Sequence, residues 1–101
     1  MVSQPRHLGI SGYYTLLILY RFPRIRFDML YAFLRGKVTR RAVTLFIQHH
    51  SELIHKEKDT GGFYNLYSLT SEGRRLLEEE FLKNETLRLD LKRLEGGKWH
   101  E

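Results

Sequence analysis

The stretch "YSLTSEGRRLLEEE", residues 67–80, constrains this chain more than any other. Tyr67 and Leu69 alternate with polar neighbours, the pattern of a half-buried strand. Thr70 and Ser71 then offer capping hydroxyls, and a charged amphipathic run begins. A strand that hands directly to a capped helix raises the question of what the residues before it form, and both element types are expected in the chain. The fold class this implies is α+β, mostly α.

Size and charge narrow the reading. The chain has 101 residues, enough for one domain with a single modest core. The longest apolar run, Tyr13 to Tyr20, is far short of the roughly 18 residues that span a bilayer. No small-residue cleavage site follows it, so neither a membrane segment nor a secretory signal is expected. There are no cysteines, which excludes disulfides and thiolate metal sites and points to an intracellular location, cytoplasmic or nucleoid-associated. The net charge of +5 is uneven. Residues 1–58 carry ten Lys or Arg against three acids, and residues 59–101 carry seven against nine. A basic front half suits either a polyanionic partner or a solubilising surface.

Residues 1–10 read as a flexible arm with Arg6 and His7. Ser11 is a candidate cap for a first helix, Tyr13 to Phe22, apolar nearly all round and so expected at the centre of the core. Pro23 ends it. "RIRF", residues 24–27, alternates like a very short strand. Asp28 is a candidate cap for a second helix, Met29 to Arg35, with Gly36 at its end. Thr39 then caps a third helix running to about Glu52.

The third helix has two faces. Val43, Phe46, Ile47, His50 and Ile54 recur at helical spacing and form a buried face. Arg41, Thr44, Gln48 and Ser51 form the opposite row, with Arg40 beside its start. Arg can bond guanine bidentately, Gln can bond adenine, and hydroxyls serve either role. The same row also fits an ordinary solvated helix face. Beyond it, Asp59, Thr60, Gly61 and Gly62 form a turn cluster between two strand-like runs, so residues 53–70 read as a β-hairpin. Lys56 and Lys58 lie near its tip, with Tyr64 and Asn65 on the return strand. Such groups suit phosphate contact, or simply guard a strand edge.

The order is helix, short strand, helix, turn, helix, hairpin, helix. This punctuation resembles the winged helix-turn-helix family, in "FDMLYAFLRGKVTRRAVTLFIQHHSELI" and then "HKEKDTGGFYNLYSLTSEGRRLL". The "YSLTSEG" junction closely resembles the segment that closes the wing in MarR-type and PadR-type regulators. There Leu enters the core, Thr caps the next helix and Gly allows close packing. The likeness covers about half the chain. It implies a winged helix-turn-helix over residues 11–70, with a two-stranded wing and double-stranded DNA as partner. On that resemblance Arg40, Arg41, Thr44 and Gln48 become base or near-base contacts, with Ser51 weaker. Lys37 and Thr39 meet phosphate at the helix start, and Lys56, Lys58 and Thr60 do so from the wing. The chain departs from the usual MarR-type wing, where an Asp-Arg pair sits at the tip. Here the tip is "KDTGG".

Residues 71–95 read as one long C-terminal helix, about 38 Å at 1.5 Å per residue. Leu77, Asn84, Leu87, Leu91 and Leu94 lie close to one heptad-like seam, with Asn84 where a polar residue can fix register. The seam serves either homodimerisation or folding back onto the first helix. Gly96 and Gly97 end it, leaving residues 96–101 as a flexible tail from which Trp99 can reach a partner. His49, His50 and His55 lack zinc-ligand spacing, and no catalytic constellation stands out, so no cofactor, metal, small-molecule ligand or enzymatic activity is expected. Two functions remain: a dimeric sequence-specific DNA-binding regulator, more simply a repressor, or a winged-helix module that docks onto protein or RNA without reading DNA.

Overall fold

A computed structural model describes residues 8–99. The arm expected at the N-terminus, with Arg6 and His7, lies outside the described residues up to residue 7, as do the last two residues of the tail. The elements run α1 (Gly9–Arg21), β1 (Ile25–Arg26), α2 (Phe27–Leu34), α3 (Arg40–His49), β2 (Ile54–Lys58), β3 (Asn65–Leu69), α4 (Ser71–Lys83) and α5 (Glu85–Glu95). The three strands form an antiparallel sheet in the order β1-β3-β2. The winged helix-turn-helix is thus present, its two-stranded wing joined by the short strand at Ile25–Arg26.

α1 is the centre of the core. Leu16, Leu17, Ile18 and Leu19 are consecutive and all buried, so neighbours cover the helix on every side. Its one fully buried polar side chain, Thr15, donates its hydroxyl to the Ser11 carbonyl at 2.7 Å, which removes the cost of an unpaired group. Ser11 therefore lies inside the helix and does not cap it. The helix begins earlier than expected because Leu8 is already buried and anchors the chain there. Gly12 lets α3 approach: a Cβ at this position would meet the Phe46 ring at 2.6 Å.

Two further boundaries shift. Arg26, not Asp28, occupies the N-cap of α2, and Asp28 sits in the first turn, where its carboxylate faces the positive helix end. Thr39 caps α3 as expected, accepting from the Ala42 amide at 3.1 Å. α3 stops at His49, before Glu52, because the strand-to-helix junction claims the next carbonyls. Thr70 donates its amide to Leu53 O at 3.0 Å and its hydroxyl to Glu52 O at 2.7 Å. Ile54, expected on the buried face of α3, belongs to β2, and Leu53 lies in the turn before it. Thr70 Oγ1 also accepts from the Gly73 amide at 3.1 Å, so one hydroxyl caps α4 and ties down the end of the helix-turn-helix.

The long helix expected over 71–95 is two helices. Asn84 leaves helical geometry (φ −122°, ψ 98°) and its side chain accepts from the Leu87 amide at 3.1 Å. Asn is a strong capping residue, and here it both ends α4 and starts α5. Arg88 reaches back to donate to the Phe81 carbonyl at the end of α4. The break turns the apolar seam inward. Leu77, Leu87 and Leu94 are buried within their own chain, and Leu91 packs against the same cluster. These leucines thus do not form an exposed dimer seam, and Asn84 is a cap, not a register-setting core residue. Trp99, expected on a free tail, is also buried, with its ring edge-on to Tyr14 at 5.6 Å.

Candidate nucleic-acid interface

α3 presents its polar row outward because the opposite face is fully engaged: Val43 and Phe46 are buried against α1. Arg40, Arg41 and Gln48 are exposed, and Thr44 is half-buried between them. Arg40, Arg41, Thr44, Leu45 and Gln48 line an open depression of about 580 Å³ along the helix. On its other flank a cleft of about 540 Å³ separates α3 from the wing. Arg40, Thr44, Gln48 and Ser51 line it from the helix-turn-helix side, and Lys56 and Tyr67 line it from the sheet.

Hydrogen bonding refines what each group can offer. Thr44 Oγ1 donates to the Arg40 carbonyl at 3.0 Å, so its proton is committed and the hydroxyl remains as an acceptor beside a methyl group. Arg40 lies over two aromatic rings, 5.0 Å from the Phe27 centroid and 5.8 Å from that of Tyr31. The rings hold the guanidinium electrostatically while leaving its N–H groups exposed at the mouth of the cleft. Arg41 and Gln48 have no such restraint.

The wing is also ordered by its own chemistry. Lys56 pairs with Tyr67 and Lys58 with Asn65, so both lysines share the sheet face that closes the cleft. On the other face Arg24 bonds Glu57 at 2.9 Å, and the Arg26 guanidinium sits 4.7 Å over the Tyr64 ring. Arg24 holds a positive φ of 63°, an uncommon conformation for a side chain of its size. Asp59 closes the tip: its Oδ1 accepts from the Phe63 and Tyr64 amides at 2.9 and 3.3 Å.

The structure thus gathers Arg40, Arg41, Thr44, Gln48, Ser51 and Lys56 on one surface. Ser51 lies past the end of α3, in the turn before β2. Lys58 and Thr60 are exposed farther out on the wing. Lys37 and Thr39 line a separate depression with Tyr31, Gly36 and Val38, and the Lys37 ammonium lies 4.7 Å over the Trp99 ring. Sequence reasoning missed the aromatic rings beneath Arg40. Phe27 and Tyr31 stand one turn apart on α2, a spacing that reads as core face, and nothing local shows that an Arg covers them. Among the three histidines His50 stacks on Phe46 at 4.5 Å and places Nδ1 3.5 Å from Glu52 Oε1, while His49 and His55 are exposed. Among the described residues no three metal-ligating side chains come together. Among them, too, no helix is long and apolar enough to cross a membrane.

No family profile matches the chain, and no curated protein matches it. Solved structures do. A ZitR variant from Lactococcus lactis superposes with a TM-score of 0.68 at 19% identity, over 96% of this chain and 66% of that one. The adhesin competence repressor AdcR from Streptococcus pyogenes gives 0.65 at 22%, over 88% of this chain and 67% of that one. A PadR family transcription regulator from a hypervirulent Clostridium difficile gives 0.58 at 18%, over 82% and 98%. The chain therefore spans about two thirds of the length of the first two and nearly all of the third. These likenesses establish the fold as that of winged-helix transcription regulators.

Proposed function

We propose that the chain is a sequence-specific duplex-DNA-binding regulator of transcription that works inside the cell as a homodimer, and as a repressor. The observation that carries this is the convergence of Arg40, Thr44 and Gln48 with Lys56 around an exposed α3. In this reading α3 enters the major groove, where Arg41 and Gln48 read base edges and Thr44 accepts or touches a thymine methyl. Arg40, Lys37 and Thr39 meet phosphates beside the groove, and Lys56, Lys58 and Thr60 meet the backbone along the wing. One of the neighbouring structures is a repressor and another a transcription regulator, which supports the role. A binding protein, with no catalytic step, fits these groups.

A homodimer is the natural form for a reader of palindromic sites, whose half-sites lie about 34–36 Å apart. Leu82 and Leu89 stand exposed on either side of the Asn84 break and supply the apolar surface for it.

Selection of bound duplexes from a random pool, followed by titration against salt, tests the reading. A recovered consensus is expected, and affinity should fall linearly on a log–log plot with a slope near −0.9 per phosphate neutralised. Equal affinity for every duplex, or binding indifferent to salt, overturns it in favour of a winged-helix module for protein or RNA.

A further inference from the structure

We propose that the wing tip is a wedge: Phe63 enters the minor groove and unstacks one base step, so that bound DNA is bent. This rests on the duplex-binding reading and adds a deformation to it. A single exposed apolar residue is ordinary on a protein surface. Phe63 is different in how it is held. It is 82% exposed, yet its backbone is fixed, because its amide donates to Asp59 Oδ1 at 2.9 Å within a loop closed by the Asp59 amide and Tyr64 carbonyl. Its ring lies against Gly61, where an added Cβ would stand 3.0 Å from Cδ2. One edge of the ring stands beside Gly61 and the rest of it is open to solvent. Tyr64 is pinned next to it beneath the Arg26 guanidinium. The backbone that carries the exposed aromatic is thus fixed by the loop itself.

Its surroundings specify the partner. Lys58 closes one side of the loop, and Lys56 lies two residues farther down the same sheet face. Both carry charge toward the phosphates that border a groove. The acid at the tip is committed to the loop itself, since Asp59 Oδ1 accepts from two amides. No Lys or Arg lies in residues 59–64, so the tip has no cation to read a narrow groove. What it offers is an apolar ring beside a basic strand, and apolar wedges of this kind let minor-groove proteins open a step and kink the duplex by about 20–90°.

The test uses a short duplex recovered from the selection, labelled with donor and acceptor dyes at its two ends. The full-length protein is compared with Phe63→Ser and Phe63→Leu. Exposure of the side chain makes folding of both variants insensitive to the change. The expected result is a rise in energy transfer on binding, lost in Phe63→Ser and largely kept in Phe63→Leu. All three proteins should still bind, with affinities within about tenfold, because α3 is unchanged. Tight binding by the wild type with no change in transfer overturns the wedge and leaves the DNA-binding reading intact. So does a change that survives in Phe63→Ser, whereas a preference for single strands over duplex overturns both readings. Failure of the wild type to bind any duplex overturns both.

Discussion

Trp99 donates its indole N–H to the carbonyl of Phe33 at 2.6 Å, joining the last described residue to the second helix. Phe33 lies in the last turn of α2, where carbonyls have no partner inside the helix. The C-terminal segment therefore caps the helix-turn-helix from outside. The same indole packs edge-on to Tyr14 and carries the Lys37 ammonium above its ring. Trp99→Ala should cost about 3–5 kcal/mol, the usual penalty for deleting a buried aromatic. Trp99→Phe should recover most of this and leave the carbonyl unpaired, at about 1–3 kcal/mol. Urea unfolding measures both. Since Trp99 is the only tryptophan, wild-type emission should shift to the red in a single step with loss of helix. Emission that moves well before the helix signal shows that the segment is not part of the cooperative unit.

The strand-to-helix junction makes a second prediction. A Cβ on Gly73 would lie 2.4 Å from the Leu53 carbonyl oxygen, a backbone atom that cannot move without breaking its bond to the Thr70 amide. Helix propensity alone favours Ala over Gly by about 1 kcal/mol. The clash should reverse that sign, so Gly73→Ala is expected to destabilise by about 1–3 kcal/mol or more. Thr70→Val, which keeps the shape and loses the hydroxyl, should cost about 1–2 kcal/mol through the lost cap and the bond to Glu52 O. A more stable Gly73→Ala in thermal or urea melts contradicts the close approach.

These same residues show why much of the fold was legible. Thr39 and Thr70 cap helices through amides one turn on, so that part of their chemistry can be read in place, whereas the bond of Thr70 to Glu52 O and the approach of Gly73 to Leu53 O join remote segments. The wing register follows from the turn cluster and alternation for the same reason. The C-terminal region was not legible in this way. Asn84 in an apolar seam is equally consistent with a polar residue in a continuous coiled coil and with a cap at a break. Only the packing of α5 on α1 decides between them, and that contact joins segments far apart in sequence. Trp99 is another such case, since its partners Phe33, Tyr14 and Lys37 are remote. In the candidate interface the exposed row on α3 was visible from its spacing. The stacking of Arg40 on Phe27 and Tyr31 was not, because those rings read as core.

Asn84 makes the break testable. Asn84→Ala removes the side-chain acceptor for Leu87 N and should cost about 0.5–2 kcal/mol. Ala is also the best helix former, so the variant is free to straighten the joint. A straight helix would carry Leu87 and Leu94 off the core and expose them. The expected consequence is a raised tendency to associate, read by sedimentation equilibrium. An unchanged mass together with unchanged stability shows that the cap does not maintain the turn.

Tyrosines on α1 face acids of the C-terminal helices, which predicts a response to alkaline pH. Burial raises the pKa of Tyr14, helped by the Asp90 carboxylate and a hydrogen bond to it, with Arg93 pulling the other way. Tyr13 is raised by burial and Glu80, and Tyr20 by burial and its 3.2 Å bond to Glu78. A folded pKa above the unfolded value means that the native state keeps protons the unfolded chain releases. The stabilisation is then complete below about pH 10 and is lost as pH rises through the folded values. Urea midpoints should hold below that pH and fall above it. Tyr14→Phe should fall less steeply, and a wild-type midpoint flat above pH 10 refutes the linkage.

Arg41 and Lys58 separate reading from holding. Arg41 is exposed on the outward row of α3, free of the aromatic restraint that fixes Arg40. If it bonds a base, Arg41→Ala should weaken the selected duplex by about 1–3 kcal/mol and scarcely alter binding to unrelated sequence. Lys58 lies near the wing tip and meets only backbone in this scheme, so Lys58→Ala should weaken all duplexes alike and lower the salt slope by about one. Arg40→Ala should behave like Lys58→Ala, since the rings of Phe27 and Tyr31 hold its guanidinium at the cleft mouth, where the proposed contact is a phosphate. Fluorescence anisotropy on the selected duplex and a scrambled control, at several salt concentrations, measures all three. Equal losses on both duplexes for Arg41→Ala would remove it from the base-reading set. A loss confined to the selected duplex for Arg40→Ala would move that guanidinium into the groove.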